Sequence, residues 1–156
     1  MMSNVQQFNF DSIITECKVS NVQDVFQKLS EHTSNLIGTS QSFLYGTLAE
    51  QESTDGSGIG HGVAITHMRL PRLTKPFIIF AKLNRGIDFQ SLDNEPVDMV
   101  CMVLSPNFEG VKHLSRLAEV SRMFNNKELC YALREAKNKE DIKIALNTFN
   151  ERKMAA

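Results

Sequence analysis

The stretch VDMVCMVL, Val97 to Leu104, is apolar at every position except Asp98. A strand with one face in water alternates apolar and polar residues, so a run with almost no alternation belongs to a strand covered on both faces. Turn residues bound it, with Asp93, Asn94, Glu95 and Pro96 before it and Pro106 closing it. A chain holding such a strand must supply helices to both sides of a sheet, and they are legible. Val22, Val25, Phe26, Leu29 and Leu36 recur near helical spacing, Ser20 or Asn21 can cap the start, and Gly38 suits the stop. A second helix opens at Ser40, carries Phe43, Leu44 and Leu48, and ends near Glu52. A short apolar entry precedes the first, around Phe8, Phe10, Ile13 and Ile14. The segments VAITH and PFIIFAKL are short and rich in strand formers, and helical spacing returns at roughly 110–124, 127–136 and 140–149. Helices first, strands in the middle and helices last predict an α/β fold. The expectation is a single domain over residues 8–150, a mixed β-sheet flanked by helices as a sandwich, with 1–7 and 151–156 as flexible termini.

Charge excludes some functions. Lys and Arg number 17 against 18 Asp and Glu, and the cations are dispersed, whereas binding along a phosphate backbone needs them clustered. Nucleic acid is therefore not an expected partner. No run reaches the roughly 18 apolar residues of a spanning helix, and MMSNVQQFNFDS lacks the basic-then-apolar secretory pattern, so a cytoplasmic address without membrane insertion is expected. Cys17, Cys101 and Cys130 are odd in number and show no CxxC spacing, which predicts buried free thiols. His32, among Ser, Glu and Thr on the first helix, reads as a solvated surface position.

Chemistry concentrates in GSGIGHGVAITH, residues 56–67. As a phosphate loop it fails, because no Lys follows the last Gly and a strand comes next where a helix should. As a metal site, His61 and His67 would need a third ligand such as His113 and orienting partners, which no spacing signals. The glycines can also make only a tight connection. A further reading uses every part: a nucleophilic imidazole at a strand end, with small residues beside it whose backbone N–H groups hold an anion.

The same segment resembles S/T-G-I-G-x-G-x-A-x-P-H of the enzyme IIA proteins, mannitol and fructose class, of the bacterial phosphotransferase system. The resemblance continues through IDFQSLDNEPVDMVCMVLSP, similar to a family strand entered by D-x-x-P-V-D, and VKHLSRLAEVSRMFNNKELCYALREA, similar to its H-L-x-x-L helix. Within the class it is nearest to the nitrogen regulatory IIA proteins. The resemblance implies that His67 is the phosphoryl acceptor and His113 its support; from the residues alone, His113 reads as a helix-surface position. Gly58, Gly60, Gly62, Thr66, Gln51 and Arg69 become candidates for a phosphate cradle, and His61 gains no catalytic role from it. No metal and no cofactor are implied. The implied partners are a phosphorylated HPr-like carrier protein and regulatory target proteins. A sugar-pathway IIA relaying phosphate to a IIB domain, and a binding module without phosphotransfer, are the alternatives. Two departures stand out: Thr66 replaces the family's usual Pro, and an ungapped alignment puts Gln51 where the family commonly has Arg.

Overall fold

The run at 97–104 becomes the strand β5, Val97–Pro106, and it lies at the centre of the sheet. Met99, Cys101 and Val103 face one apolar cluster, and Val100, Met102 and Leu104 face another. The computed structural model describes residues 8–155, and the segment 1–7, expected as flexible, lies outside the described residues. The other elements are β1 (Ser12–Cys17), α1 (Val22–Ile37), α2 (Gln41–Thr54), β2 (Gly58–Gly60), β3 (Val63–Leu70), β4 (Phe77–Ile87), α3 (Gly110–Phe124), α4 (Lys127–Glu135) and α5 (Lys139–Ala155).

The five strands form one mixed sheet in the order β1-β4-β5-β3-β2. β5 runs antiparallel to β4 and parallel to β3, with His67 opposite Val103. The helices α1 and α2 cover one face through Val25, Phe26, Leu29, Leu44 and Leu48. The other face is covered by α3, α4 and α5, where the rings of Phe10, Phe80 of β4 and Phe124 form a triangle, with centroids 4.8, 6.2 and 6.5 Å apart. The expected single-domain α/β sandwich is what the chain forms.

Local signals act as physical chemistry requires. Asn21 caps α1 by accepting from the Asp24 N–H at 2.8 Å, and Gly38, at φ 78°, ends it in the left-handed region, where a side chain is costly. Ser40 caps α2 through the Phe43 N–H.

Several expectations need correction. The apolar entry is a strand from Ser12, β1, whose parallel partner β4 lies more than sixty positions away, a pairing that no local pattern can announce. The Gly58–Gly60 segment, read as loop, adds β2 to the sheet edge. α2 extends to Thr54, and its Phe43 is exposed. Residues 151–155, expected as a flexible tail, continue α5 as helix. His32 is not solvated: it is half-buried with Nε2 2.7 Å from Ser12 Oγ, and burial and Lys139 lower its pKa. Cys17, Cys101 and Cys130 are free and buried as expected.

Candidate functional site

β3 carries its odd-numbered residues Val63 and Ile65 toward the α3 side and its even-numbered Ala64 and Met68 toward α1 and α2. Strand alternation then turns the His67 side chain toward α3. The backbone alternates in the other plane. Ile65 N–H donates to the Ser57 carbonyl at 2.9 Å, while the Gly62 carbonyl accepts from Met99 N–H of β5 at 3.2 Å. His67 and Arg69 therefore aim their N–H groups at the β2 side, where β2 has already ended. The open edge forms one wall of a cleft of about 510 Å³, completed by the end of α2, by Gly56 and Ser57, and by Leu117 and Ser121 of α3.

Inside this arrangement four side chains form a chain of hydrogen bonds. His67 Nδ1 is 3.0 Å from His113 Nε2, His113 Nδ1 is 2.6 Å from Ser105 Oγ, and Arg116 Nη1 donates to the same hydroxyl at 2.6 Å. Arg116 is anchored in turn by Glu109, Nη2 to Oε1 at 3.2 Å. Elements fix each member: His67 on β3, Ser105 near the end of β5, His113 in the first turn of α3, and Arg116 three residues on, on the same helix face. Since Nδ1 of His67 is engaged, Nε2 is the ring atom left for chemistry. The electrostatics favour neutral rings. Burial lowers the His67 pKa against a smaller opposing pull from Asp55. His113, only 5% exposed, is lowered to about 4 by burial first, then by His67, Arg116 and Arg69, with Glu109 opposing.

Residues 6–148 match the family model described as phosphoenolpyruvate-dependent sugar phosphotransferase system, EIIA 2. The chain belongs to this family. It is 33% identical over 132 residues to a nitrogen regulatory protein of Bradyrhizobium diazoefficiens, covering 85% of this chain and 86% of that one. Its fold matches the crystal structure of nitrogen regulatory protein IIA-Ntr from Neisseria meningitidis at TM-score 0.79 and 20% identity, over 87% of this chain and 92% of that one. It also matches mannitol enzyme IIA from Escherichia coli, solved in complex with phosphorylated mannitol enzyme IIB, at TM-score 0.71 and 11% identity, over 90% and 97%.

The EIIA chain brings some of the expected residues together and separates others. His67 and His113 meet, and His113 is buried, not a helix-surface residue. Gln51 lines the same cleft as His67, in the company of Glu50, Glu52 and Asp55, with no lysine or arginine among the described lining residues. Glu52 is occupied, accepting from the N–H and hydroxyl of Ser57 at 2.9 and 2.6 Å. Arg69 is exposed and reaches the Asn107 carbonyl, at 3.5 Å, beside the start of α3. Thr66 is buried, and its hydroxyl, without a hydrogen-bond partner among the described residues, lies on the sheet face opposite the His67 ring.

Gly58, Gly60 and Gly62 do not line the cleft with His67, although Ser57 and Ile59 on either side of Gly58 do: a Cβ on Gly58 would point at Ser91 and Phe89, one on Gly60 at Asp93, and one on Gly62 at Arg134 and Asp98. The three glycines make a tight connection. Gly62, at φ 77°, leaves room for Arg134, whose Nη2 would lie 2.5 Å from an added Cβ. Arg134 is held by both carboxylate oxygens of Asp98 and donates to the His61 carbonyl at 2.6 Å. Asp93 takes the His61 N–H at 2.9 Å, so His61, itself at φ 57°, belongs to this turn and lies away from His67. Among the described residues no cluster of three or more His, Cys, Asp or Glu is arranged to hold a metal ion. No helix among them is long and apolar enough to cross a membrane.

Sequence reasoning missed Ser105, Arg116, Glu109 and the acidic cleft wall. One signal was available: Arg116 stands at helical spacing from His113. Ser105 offered none, since its partner lies beyond a turn.

Proposed function

We propose that this EIIA-family chain accepts a phosphoryl group on His67 Nε2 from a phosphorylated HPr-like carrier in the cytoplasm, and that its phosphorylation state selects the regulatory proteins it binds. The observation that carries this reading is the contact of His67 Nδ1 with the buried His113, which orients the ring and leaves Nε2 as the nucleophile. In the transfer the N–P bond of the donor breaks as the bond from phosphorus to Nε2 forms. One proton leaves the His67 ring and is taken up by the departing donor imidazole, so charge balances. The free first-turn N–H groups of α3, which has no side-chain cap, and the Arg69 guanidinium beside them supply positive potential at this end of the site.

The test is incubation with a phosphoenolpyruvate-charged carrier cascade, read by mass spectrometry under conditions that spare N–P bonds. Label is expected on His67 and absent from His67→Ala. Equal labelling of the two proteins would refute the assignment. Onward transfer to a IIB protein in the same assay would move the reading to the sugar pathway.

A further inference from the structure

We propose that the cleft beside His67 is a docking slot for an extended segment of a partner protein, one that alternates basic and apolar residues and adds to the free edge of β3 as a further strand. The docking goes beyond the phosphoryl-acceptor reading and does not rest on it; its consequence for His67 does.

The main chain makes the first half of the argument. β2 pairs with β3 only through Gly58 and Gly60 and the bond from Ile65 N–H to the Ser57 carbonyl. The next residues back along the chain, Gly56 and Asp55, lead away into α2. β3 runs on to Leu70, paired with β5 along its other side. The N–H and carbonyl of one residue point to the same side of a strand, so those of His67 and Arg69 are left without a strand partner among the described residues. An edge of this kind is a template for one more strand. A strand laid along it would continue the line of β2, with α2 over one face and α3 over the other. The cleft of about 510 Å³ has these same walls.

Side chains specify the second half. Successive residues of an added strand point alternately toward α2 and toward α3. The α2 wall carries Glu50 and Asp55, both exposed and neither in an ion pair among the described residues. The α3 wall carries Leu117, with Ile65 and the His67 ring on the same face of the sheet. No lysine or arginine lines the cleft among the described residues. A segment with Arg or Lys facing α2 and apolar side chains facing α3 therefore meets complementary groups on both faces, while main-chain bonds to His67 and Arg69 hold it in register. A second copy of this chain does not fit, because pairing edge to edge would bring two such acidic walls together with no lining cation between them.

The consequence is regulatory. A segment seated in the slot covers the approach to His67, so docking of the partner and access by a phosphoryl donor exclude one another.

The probe is a blocked hexapeptide alternating Arg and Val, added to the whole protein and followed by amide proton–nitrogen spectra. Saturable shifts are expected at the His67 and Arg69 amides, absent with a peptide alternating Glu and Val. The protein carrying Glu50→Gln with Asp55→Asn, both at exposed positions, should bind about fivefold more weakly, and all binding should weaken at high salt. A strand donates to an edge from alternate residues only, so of two peptides N-methylated on the two alternate sets of amides, one should fail to bind. Equal shifts with the Glu peptide, or undiminished binding of both methylated peptides, would overturn the proposal. At saturating Arg–Val peptide, labelling of His67 by the charged carrier cascade should slow at least fivefold, and an unchanged rate would overturn the exclusion. Absence of label with and without peptide would instead refute the acceptor reading, while the amide shifts still decide the docking.

Discussion

Gln51→Arg should shift the phosphorylation equilibrium of His67 toward the phosphorylated state. Gln51 is half-buried in the cleft that also holds His67, and the charged side chains lining that cleft, Glu50, Glu52 and Asp55, are all acidic. A dianionic phosphoryl group placed there meets like charge and no lining cation. A charge-assisted hydrogen bond from arginine is worth about 1.5 to 3 kcal/mol when sheltered, and about 1 kcal/mol at a partly exposed position. About 1 kcal/mol corresponds to roughly fivefold in the ratio of phosphorylated to unphosphorylated protein. Glu52 already accepts two bonds from Ser57, so the new guanidinium is left to Glu50, Asp55 and the phosphoryl group. The gain should shrink at high salt, because the cleft is open to solvent. Gln51→Ala should change little, since it removes only an amide. The assay is the phosphorylated fraction at a fixed donor ratio for the three proteins, at low and high ionic strength. Equal fractions for the natural and arginine proteins would refute the idea that position 51 reaches the phosphoryl group.

Three further outcomes follow from the geometry. His67→Ala should lose phosphoryl acceptance yet keep its melting temperature within a few degrees, measured by calorimetry, because the ring is only half-buried and packs on the cleft side of β3. Stability should fall on acidification: His113 has its pKa lowered from 6.5 to about 4, so the unfolded chain binds the extra proton first, and stability fully present above pH 6.5 is lost down to about pH 4. At about 1.4 kcal/mol per pH unit for one proton this reaches roughly 3 kcal/mol, and denaturant titrations of the natural protein and His113→Gln should differ in slope across that window. Gly62→Ala should destabilise by about 1 to 2 kcal/mol from its left-handed backbone, and more where Arg134 must yield, since Nη2 would lie 2.5 Å from the new Cβ; an unchanged denaturation midpoint would contradict this account of the turn.

The residues that were legible and those that were not divide along physical lines. Asn21, Gly38 and Ser40 act within a few residues of themselves, so their capping could be read directly. His67 and His113 could be marked by resemblance, but the 3.0 Å between their rings exists only because β3 and β5 pair in parallel and α3 leaves the end of β5. The glycines were legible as a tight connection, but not what they face: Gly60 lies against Asp93, and Gly62 leaves room for Arg134, which arrives from a helix far along the chain.

Sequence alone determined the layered α/β architecture, because the unbroken apolar run of β5 tolerates water on neither face and the flanking helical periodicities supply the cover. It also determined the caps that start α1 and α2, the stop of α1 at Gly38 and the buried cysteines, each a matter of local propensity or side-chain chemistry. Tertiary structure decided the strand order, the position of β1 beside β4, the burial of His113 and the partial burial of His32, since these depend on which distant segments share a ladder or an interface. It alone assembled Ser105, Arg116 and Glu109 behind the two histidines, because hydrogen bonds form between atoms that folding brings within about 3 Å, whatever their separation along the chain.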